Sequence, residues 1–120
     1  MNHALYIAIP SATIALNSWA AGADFAKLGF VVKNSDDLGV ARLWLPLLGA
    51  LKAAGAVGLL LGLFGIPAIG TAAAAGLVLF FVSAIVAHVR AGVLYNIAFP
   101  AVFLGLAVGS LLEMGLGNIA

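Results

Sequence analysis

Four apolar stretches, each about long enough to cross a lipid bilayer as an α-helix, occupy most of this 120-residue chain. They are Ala4–Ala23, Leu43–Phe64, Ala68–Val89 and Ile97–Leu116. A hydrocarbon core of about 30 Å requires about 20 helical residues at about 1.5 Å each. Hydrophobic residues make up 65% of the chain and charged residues 8%, which is more apolar surface than a soluble domain of this length can bury. The sequence therefore predicts an all-α, multi-pass membrane protein with one transmembrane domain over residues 1–120.

The residue types present exclude several kinds of chemistry. The chain has no cysteine, so it cannot perform thiolate catalysis or disulfide exchange, or ligate zinc or an iron–sulfur cluster through sulfur. Its net charge of +1 provides no basic surface for nucleic acid. We expect neither a metal site nor a nucleic-acid partner. The expected partners are membrane lipids and a second membrane protein or further copies of this chain.

The lengths of the connections predict an up-down four-helix bundle. Gly65–Pro67 allows only a tight hairpin between the second and third helices, and Arg90–Asn96 is also short. The connection Asp24–Arg42 is longer, and within it Asn34–Asp37 is a strong turn pattern. Its remaining residues are too apolar for a free linker. We therefore expect this segment to lie at the membrane interface or to extend the first helix.

Lysine and arginine residues predict the orientation in the cell membrane, because cytoplasmic connections are enriched in them. The first and third connections carry these residues and the opposite side carries none: Lys27, Lys33, Arg42 and Arg90. We expect connections 24–42 and 90–96 in the cytoplasm and both termini outside. Since no lysine or arginine precedes Lys27, we expect the first stretch to be a retained helix, not a cleaved signal peptide.

Lys52 is the most informative polar residue, because it lies about 13 Å along the second apolar stretch at about 1.5 Å per residue. A lysine near the middle of a bilayer costs about 2.5–3.5 kcal/mol on insertion scales. It should therefore face the bundle interior and find a partner. The candidates are Asn17 at a similar depth, Glu113 towards the outside, and Asp24 if the first helix runs deep. Glu113 itself is better explained as a surface residue near a helix end. Lys52 is either part of a ligand or proton site, or half of an ion pair that fixes helix register.

A second group of polar residues falls where the first and third predicted helices end. Asp24 and Lys27 lie one helical turn apart and could pair. With His88 and Arg90 they would form a polar cluster, which is the best candidate for a site. The candidate catalytic residues are Asp24, Lys52 and His88. The candidate ligand-binding residues are Asn17, Lys27, Lys52, His88 and Arg90.

Small residues follow helical spacing on two of the predicted helices. Gly58 and Gly62 form a G-x-x-x-G pair, and Ala101, Gly105 and Gly109 form a stripe. Such residues let helices approach closely in lipid. They indicate either packing inside the bundle or an interface with another subunit.

Four segments together resemble the DoxX-like family of small four-helix membrane proteins. They span most of the chain in the family's order: Ala20–Leu28 (AAGADFAKL), Leu48–Gly62 (LGALKAAGAVGLLLG), Ala87–Gly92 (AHVRAG) and Phe99–Leu104 (FPAVFL). The resemblance implies a membrane-embedded helical bundle in which Lys27, Lys52 and His88 match recurring polar positions. Some relatives are subunits of a thiosulfate:quinone oxidoreductase, and others associate with oxidative-stress proteins.

Three functions are compatible with these residues. The first is an accessory subunit of a membrane redox or envelope complex, binding a quinone or a lipid. A haem held by two histidines within one chain is disfavoured, because His3 and His88 are predicted at opposite sides of the membrane. The second is a membrane enzyme, of isomerase or cyclase type, that uses acid–base groups on a lipophilic substrate. The third is a small transporter, which would require an oligomer.

Overall fold

The computed structural model describes residues 2–119, and the side chains of residues 2–116. Within that range the chain forms five α-helices and one short 3₁₀ turn, Arg42–Trp44, and it contains no strand. The helices are α1 (His3–Ala26), α2 (Gly29–Leu38), α3 (Leu45–Leu63), α4 (Pro67–Ala91) and α5 (Ala98–Ile119). All but α2 are long and apolar enough to cross a membrane. The predicted all-α fold is confirmed.

The four long helices pack as a ring in which α1 contacts α3, α3 contacts α4, α4 contacts α5, and α5 contacts α1. Neighbours run antiparallel. Tyr6 of α1 contacts Met114 of α5, whereas Thr13, further along α1, contacts the earlier Ser110. Gly55 of α3 lies against Leu77 of α4, whereas Gly62, further along α3, lies against the earlier Gly70. The result is the predicted up-down bundle, about 43 Å long. Helices α1 and α4 lie diagonally opposite. We call the end of the bundle that carries α2 and the α4–α5 connection the α2 end.

The first helix continues beyond Ala23, the last residue of the predicted stretch, and ends at Ala26. Lys27 then adopts the left-handed conformation, with φ of 51°, and its backbone N–H bonds the carbonyl groups of Ala23 and Asp24. This turn ends α1 before α2 begins at Gly29, so the connection contains a separate helix and is not an extension of α1. The added turn of α1 carries Asp24 as part of the helix.

The predicted turn at Asn34–Asp37 is wrong, because these residues lie inside α2. Two interactions let them be helical. Lys33 and Asp37 pair one turn apart along the helix, 2.9 Å from Nζ to Oδ2. Ser35 Oγ donates to the Val40 carbonyl and so closes the helix end. The chain turns instead at Gly39, whose φ of 73° suits a residue without a Cβ.

The G-x-x-x-G pair packs inside the bundle. A Cβ atom added to Gly62 would lie 2.7 Å from the Cα atom of Gly70, and one added to Gly58 would lie 2.5 Å from the Cβ atom of Ala73. Gly62 therefore lets the backbones of α3 and α4 touch, and Gly58 makes room for the Ala73 side chain. Gly105 on α5 differs, because a Cβ atom there would meet open space. The interpretation as packing inside the bundle holds for Gly58 and Gly62.

Candidate functional site

A cavity of about 1040 Å³ lies at the α2 end of the bundle. Its walls come from α1, α3 and α4, the first two turns of α5, and α2, which covers it. Aromatic side chains make up much of the lining: Trp19, Phe30, Phe80, Phe81, Tyr95, Phe99 and Phe103. The cavity falls at the upper end of the volume range of small-molecule sites, which are mostly apolar with a few polar groups.

Asp24 and Lys52 form an ion pair in the wall of this cavity. The Lys52 Nζ atom lies 2.8 Å from Asp24 Oδ2, and the two side chains are 15% and 5% exposed. Lys52 Nζ also lies 5.5 Å from the centre of the Phe80 ring, within cation–π range. Of the three partners considered for Lys52, the structure selects Asp24. The pair satisfies the expectation that this lysine faces the interior.

A glycine positions the two charged residues. Gly49 lies one turn before Lys52 on α3, and a Cβ atom added there would lie 3.1 Å from Asp24 Cβ and 3.2 Å from the carbonyl oxygen of Ala21. Helices α1 and α3 can therefore approach closely at this level. Because α1 runs on to Ala26, Asp24 is held on a regular helix opposite Lys52.

His88 contributes a buried imidazole to the cavity wall. The residue is only 3% exposed, and Nδ1 lies 2.8 Å from the carbonyl oxygen of Ala84, one turn earlier on α4. A carbonyl can only accept, so the proton of the neutral ring lies on Nδ1. Nε2 is buried and, among the described side chains, has no hydrogen-bond partner. Nε2 is therefore a buried acceptor without a donor in that part of the chain, on a residue that lines the cavity.

Helix α2 is fastened over the cavity by polar contacts to the α4–α5 connection. Tyr95 donates its hydroxyl proton to Asp37 Oδ2 at 2.8 Å, and Lys33 Nζ lies 3.0 Å from the Tyr95 hydroxyl oxygen. Asn96 Nδ2 donates to Asn34 Oδ1 at 2.9 Å. We call these five residues, Lys33, Asn34, Asp37, Tyr95 and Asn96, the α2 latch.

The latch is electrostatically matched. The Lys33 ammonium and then the Tyr95 hydroxyl lower the pKa of the Asp37 carboxyl. The hydrogen bond to the Asp37 carboxylate, and then the one to the Tyr95 hydroxyl, raise the pKa of Lys33. On the other side of α2, Phe30 stacks on Trp19 of α1 with ring centres 5.6 Å apart. Sequence reasoning missed the latch, although the four-residue spacing of Lys33 and Asp37 signals a helix.

The predicted polar cluster is only partly assembled. Asp24 and His88 line the same cavity, but Lys27 and Arg90 are exposed and do not line it. The Asp24 carboxylate binds Lys52 and not Lys27. His88 bonds the backbone of its own helix and makes no hydrogen bond to Asp24. Three candidates therefore meet at the cavity, Asp24, Lys52 and His88, because the cavity lies between diagonally opposed α1 and α4.

Asn17 and Glu113 lie away from this cavity. Asn17 is fully buried on α1, where Nδ2 donates to the Thr13 carbonyl at 2.9 Å and Oδ1 has no partner among the described side chains. Glu113 is half-buried, and its Oε2 atom is shielded from solvent and without a partner in that same part of the chain. The interpretation of Glu113 as a surface residue near a helix end stays a prediction, because the side chain is partly exposed and partly buried. Within residues 2–116, no group of three or more histidine, aspartate and glutamate side chains could hold a metal ion.

The sequence profile of the DoxX-like family matches residues 9–110. The chain belongs to the DoxX-like family. The matched range includes Asp24, Lys52 and His88 and every residue that lines the cavity. No curated protein and no solved structure matches the chain. Membership in the DoxX-like family, together with four long apolar helices, makes this a multi-pass membrane protein.

Proposed function

We propose that this DoxX-like protein binds a lipophilic small molecule, of the quinone or lipid class, in the cavity at the α2 end. In this proposal the protein serves as an accessory subunit of a redox or envelope complex in the cell membrane. The single observation that carries the proposal is a cavity of about 1040 Å³ that is lined by aromatic rings and holds an ion pair and a buried histidine. Such a composition suits a ring or chain with one polar end.

The polar groups support binding of a polar head group among the aromatic side chains. Lys52 donates to Asp24 through one N–H group, which leaves further donors for an oxygen atom of the ligand. His88 offers an acceptor. Phe80 and Phe81 stand beside these groups in the lining. A flat ring with oxygen substituents would pack against the aromatic rings and form hydrogen bonds with the polar groups.

The proposed accessory role rests on the absence of cysteine, which leaves the chain without thiol–disulfide redox chemistry. A chain without cysteine carries no side chain that cycles between thiol and disulfide, so a redox role requires a bound group or a partner protein. A bound quinone would supply electron-transfer capacity, and Lys52 and His88 would contact its head group. The partner would be another membrane protein or a second copy of this chain.

The positions of the cationic residues support an orientation with the α2 end in the cytoplasm. Lys27, Lys33, Arg42 and Arg90 all belong to the segments at this end. Cationic residues accumulate on the cytoplasmic side of membrane proteins. The ligand cavity would then open near the inner leaflet.

A second candidate function is an isomerase or cyclase that acts on a lipophilic substrate. The free Nε2 atom of His88 favours it, because a neutral imidazole in an apolar cavity can act as a general base. Asp24 and Lys52 neutralise each other in the ion pair and would position a substrate. Turnover of a substrate by purified protein alone would favour this function over the accessory one.

The test is native mass spectrometry of the full chain, extracted gently from its own membrane. We expect a stoichiometric quinone or a single lipid class on the wild-type protein. Gly76 lines the cavity, and a Cβ atom there meets no other atom within 4 Å, so Gly76→Leu should fill part of the cavity and lose the ligand. Gly105→Leu is the matched control, because Gly105 also faces open space but does not line the cavity.

Two results would overturn the proposal. One is a wild-type protein that carries only a random mixture of membrane lipids. The other is equal retention of the ligand by Gly76→Leu and Gly105→Leu. A partner chain that copurifies with the wild-type protein would support the accessory-subunit role.

A further inference from the structure

We infer that the cavity selects ligands whose head group carries a hydroxyl group, a phenol or hydroquinone in place of a fully oxidised quinone. This inference rests on the proposed function and names the chemical class of its ligand. It comes from two hydrogen-bond acceptor atoms that have no donor within residues 2–116 and that belong to residues lining the cavity.

These two atoms can only accept a hydrogen bond. Nε2 of His88 is an acceptor in the neutral ring, because Nδ1 holds the proton and donates it to the Ala84 carbonyl. Oδ1 of Asn96 is an acceptor as well, because Nδ2 of the same amide donates to Asn34. Both atoms are shielded from solvent and without a donor in the described part of the chain. His88 and Asn96 both line the cavity.

An acceptor that stays unpaired in a buried site has a free-energy cost. A quinone carbonyl cannot remove that cost, since it also only accepts. A hydroxyl group can donate to Nε2 or Oδ1 once the side chain rotates toward the cavity, because neither atom is solvent-accessible in this structure. Lys52 does not discriminate between the two forms, because its remaining N–H groups can donate equally to a carbonyl or to a hydroxyl oxygen. The preference therefore comes from His88 and Asn96.

The test compares two probes: a para-alkylphenol with a long alkyl chain, and its methyl ether, in which a methyl group replaces the hydroxyl proton and removes the donor. Neither probe is a redox cofactor, so oxidation does not confuse the result. Binding to the purified full chain in detergent would be measured by isothermal titration. We expect the phenol to bind at least about tenfold more tightly than the ether.

Variants at His88 assign the preference to this residue. His88→Leu removes the acceptor and should bring the two affinities together. His88→Gln restores an acceptor oxygen and should recover part of the preference. The chain has two histidines, so His3→Ala leaves His88 as the only histidine signal. In this background, the ¹⁵N resonance of the unprotonated ring nitrogen of His88 should shift when the phenol binds. It should stay unchanged with the ether.

The outcomes separate this inference from the proposed function. One outcome is equal, saturable binding of the phenol and the ether that Gly76→Leu abolishes. This result would overturn the hydroxyl preference but would still support the ligand cavity. Absence of binding by either probe, with wild-type folding, would count against both. A preference that persists in His88→Leu would overturn the assignment to His88.

Discussion

The Nζ atom of Lys52 on α3 lies 2.8 Å from the Oδ2 atom of Asp24 on α1, and the two side chains are only 15% and 5% exposed. The pair therefore connects two helices that are separated in the chain by α2. Removal of one partner from a buried ion pair leaves an uncompensated charge, whereas removal of both is often tolerated. The pair also borders the cavity, so it can stabilise the bundle, bind a ligand, or do both.

We expect Lys52→Met to lower the free energy of unfolding by about 3–5 kcal/mol, because Asp24 would stay buried without a counter-charge. Asp24→Leu should have a similar effect. The double variant Asp24→Leu/Lys52→Met should recover most of the loss. Thermal unfolding in detergent, followed by circular dichroism, measures the three variants against the wild type.

The same set of variants separates structure from function. If the double variant folds like the wild type and still binds ligand, the pair is only structural. If it folds but no longer binds, the charges contact the ligand. Single variants as stable as the wild-type protein would contradict the energetic role of the pair.

The transmembrane helices could be predicted from composition, since their apolar length follows from the bilayer thickness. Every observed end lies within three residues of the predicted one. Helix α2 could not be predicted in this way, because Asn34–Asp37 has the residue types of a turn. These residues become helical through contacts with Lys33, Val40 and Tyr95. Two local contacts and one tertiary contact therefore override the turn preference of these residues.

Three members of the candidate site, Asp24, Lys52 and His88, could be predicted from the sequence, but their arrangement could not. The cost of burying a charge in lipid identified Lys52, yet the choice among Asn17, Asp24 and Glu113 depends on where α1 ends and how each helix is rotated. The cavity was not predictable, because it is formed between elements distant in sequence. Lys27 and Arg90 match the charge pattern of a site but lie on exposed surfaces.

The close contact between α3 and α4 gives a prediction about glycine. A Cβ atom at Gly62 would lie 2.7 Å from Gly70 Cα, so Gly62→Ala must push the helices apart. We expect a loss of about 1–3 kcal/mol in the free energy of unfolding. Gly105→Ala, where a Cβ atom meets open space, should instead raise stability by up to about 1 kcal/mol, because alanine has the higher helix propensity. Equal effects of the two substitutions in detergent unfolding would contradict this packing.

A buried hydroxyl pair joins α1 to α5. Thr13 Oγ1 lies 2.8 Å from Ser110 Oγ, and both residues are fully buried. Hydrogen bonds between transmembrane helices contribute about 0.6 kcal/mol on average, so Ser110→Ala should lower stability by about that amount. Ser83→Ala is the control, because Ser83 is exposed and bonds only the Leu79 carbonyl of its own helix. A loss from Ser83→Ala as large as that from Ser110→Ala would show that the interhelical bond adds nothing.

The α2 latch should depend on pH. The pKa of Asp37 is lowered from its ordinary value of 3.8, so its contribution is complete above that value and is lost as the pH falls through the lower, folded value. The pKa of Lys33 is raised from 10.5, so its contribution is complete below that value and is lost as the pH rises further. The latch is therefore fully formed between about pH 4 and pH 10.

Trp19 reports whether α2 is docked, because its ring stacks on Phe30 of that helix. In a Trp44→Phe background it is the remaining one of the two tryptophans. We expect its fluorescence to change as the pH is lowered below about 4, and Asp37→Asn to show part of that change already at neutral pH. Asp36→Asn is the matched control, because Asp36 pairs with Arg42 at the following turn and not with Tyr95. If Asp36→Asn and Asp37→Asn alter the Trp19 signal equally, the link to Tyr95 does not hold α2 over the cavity.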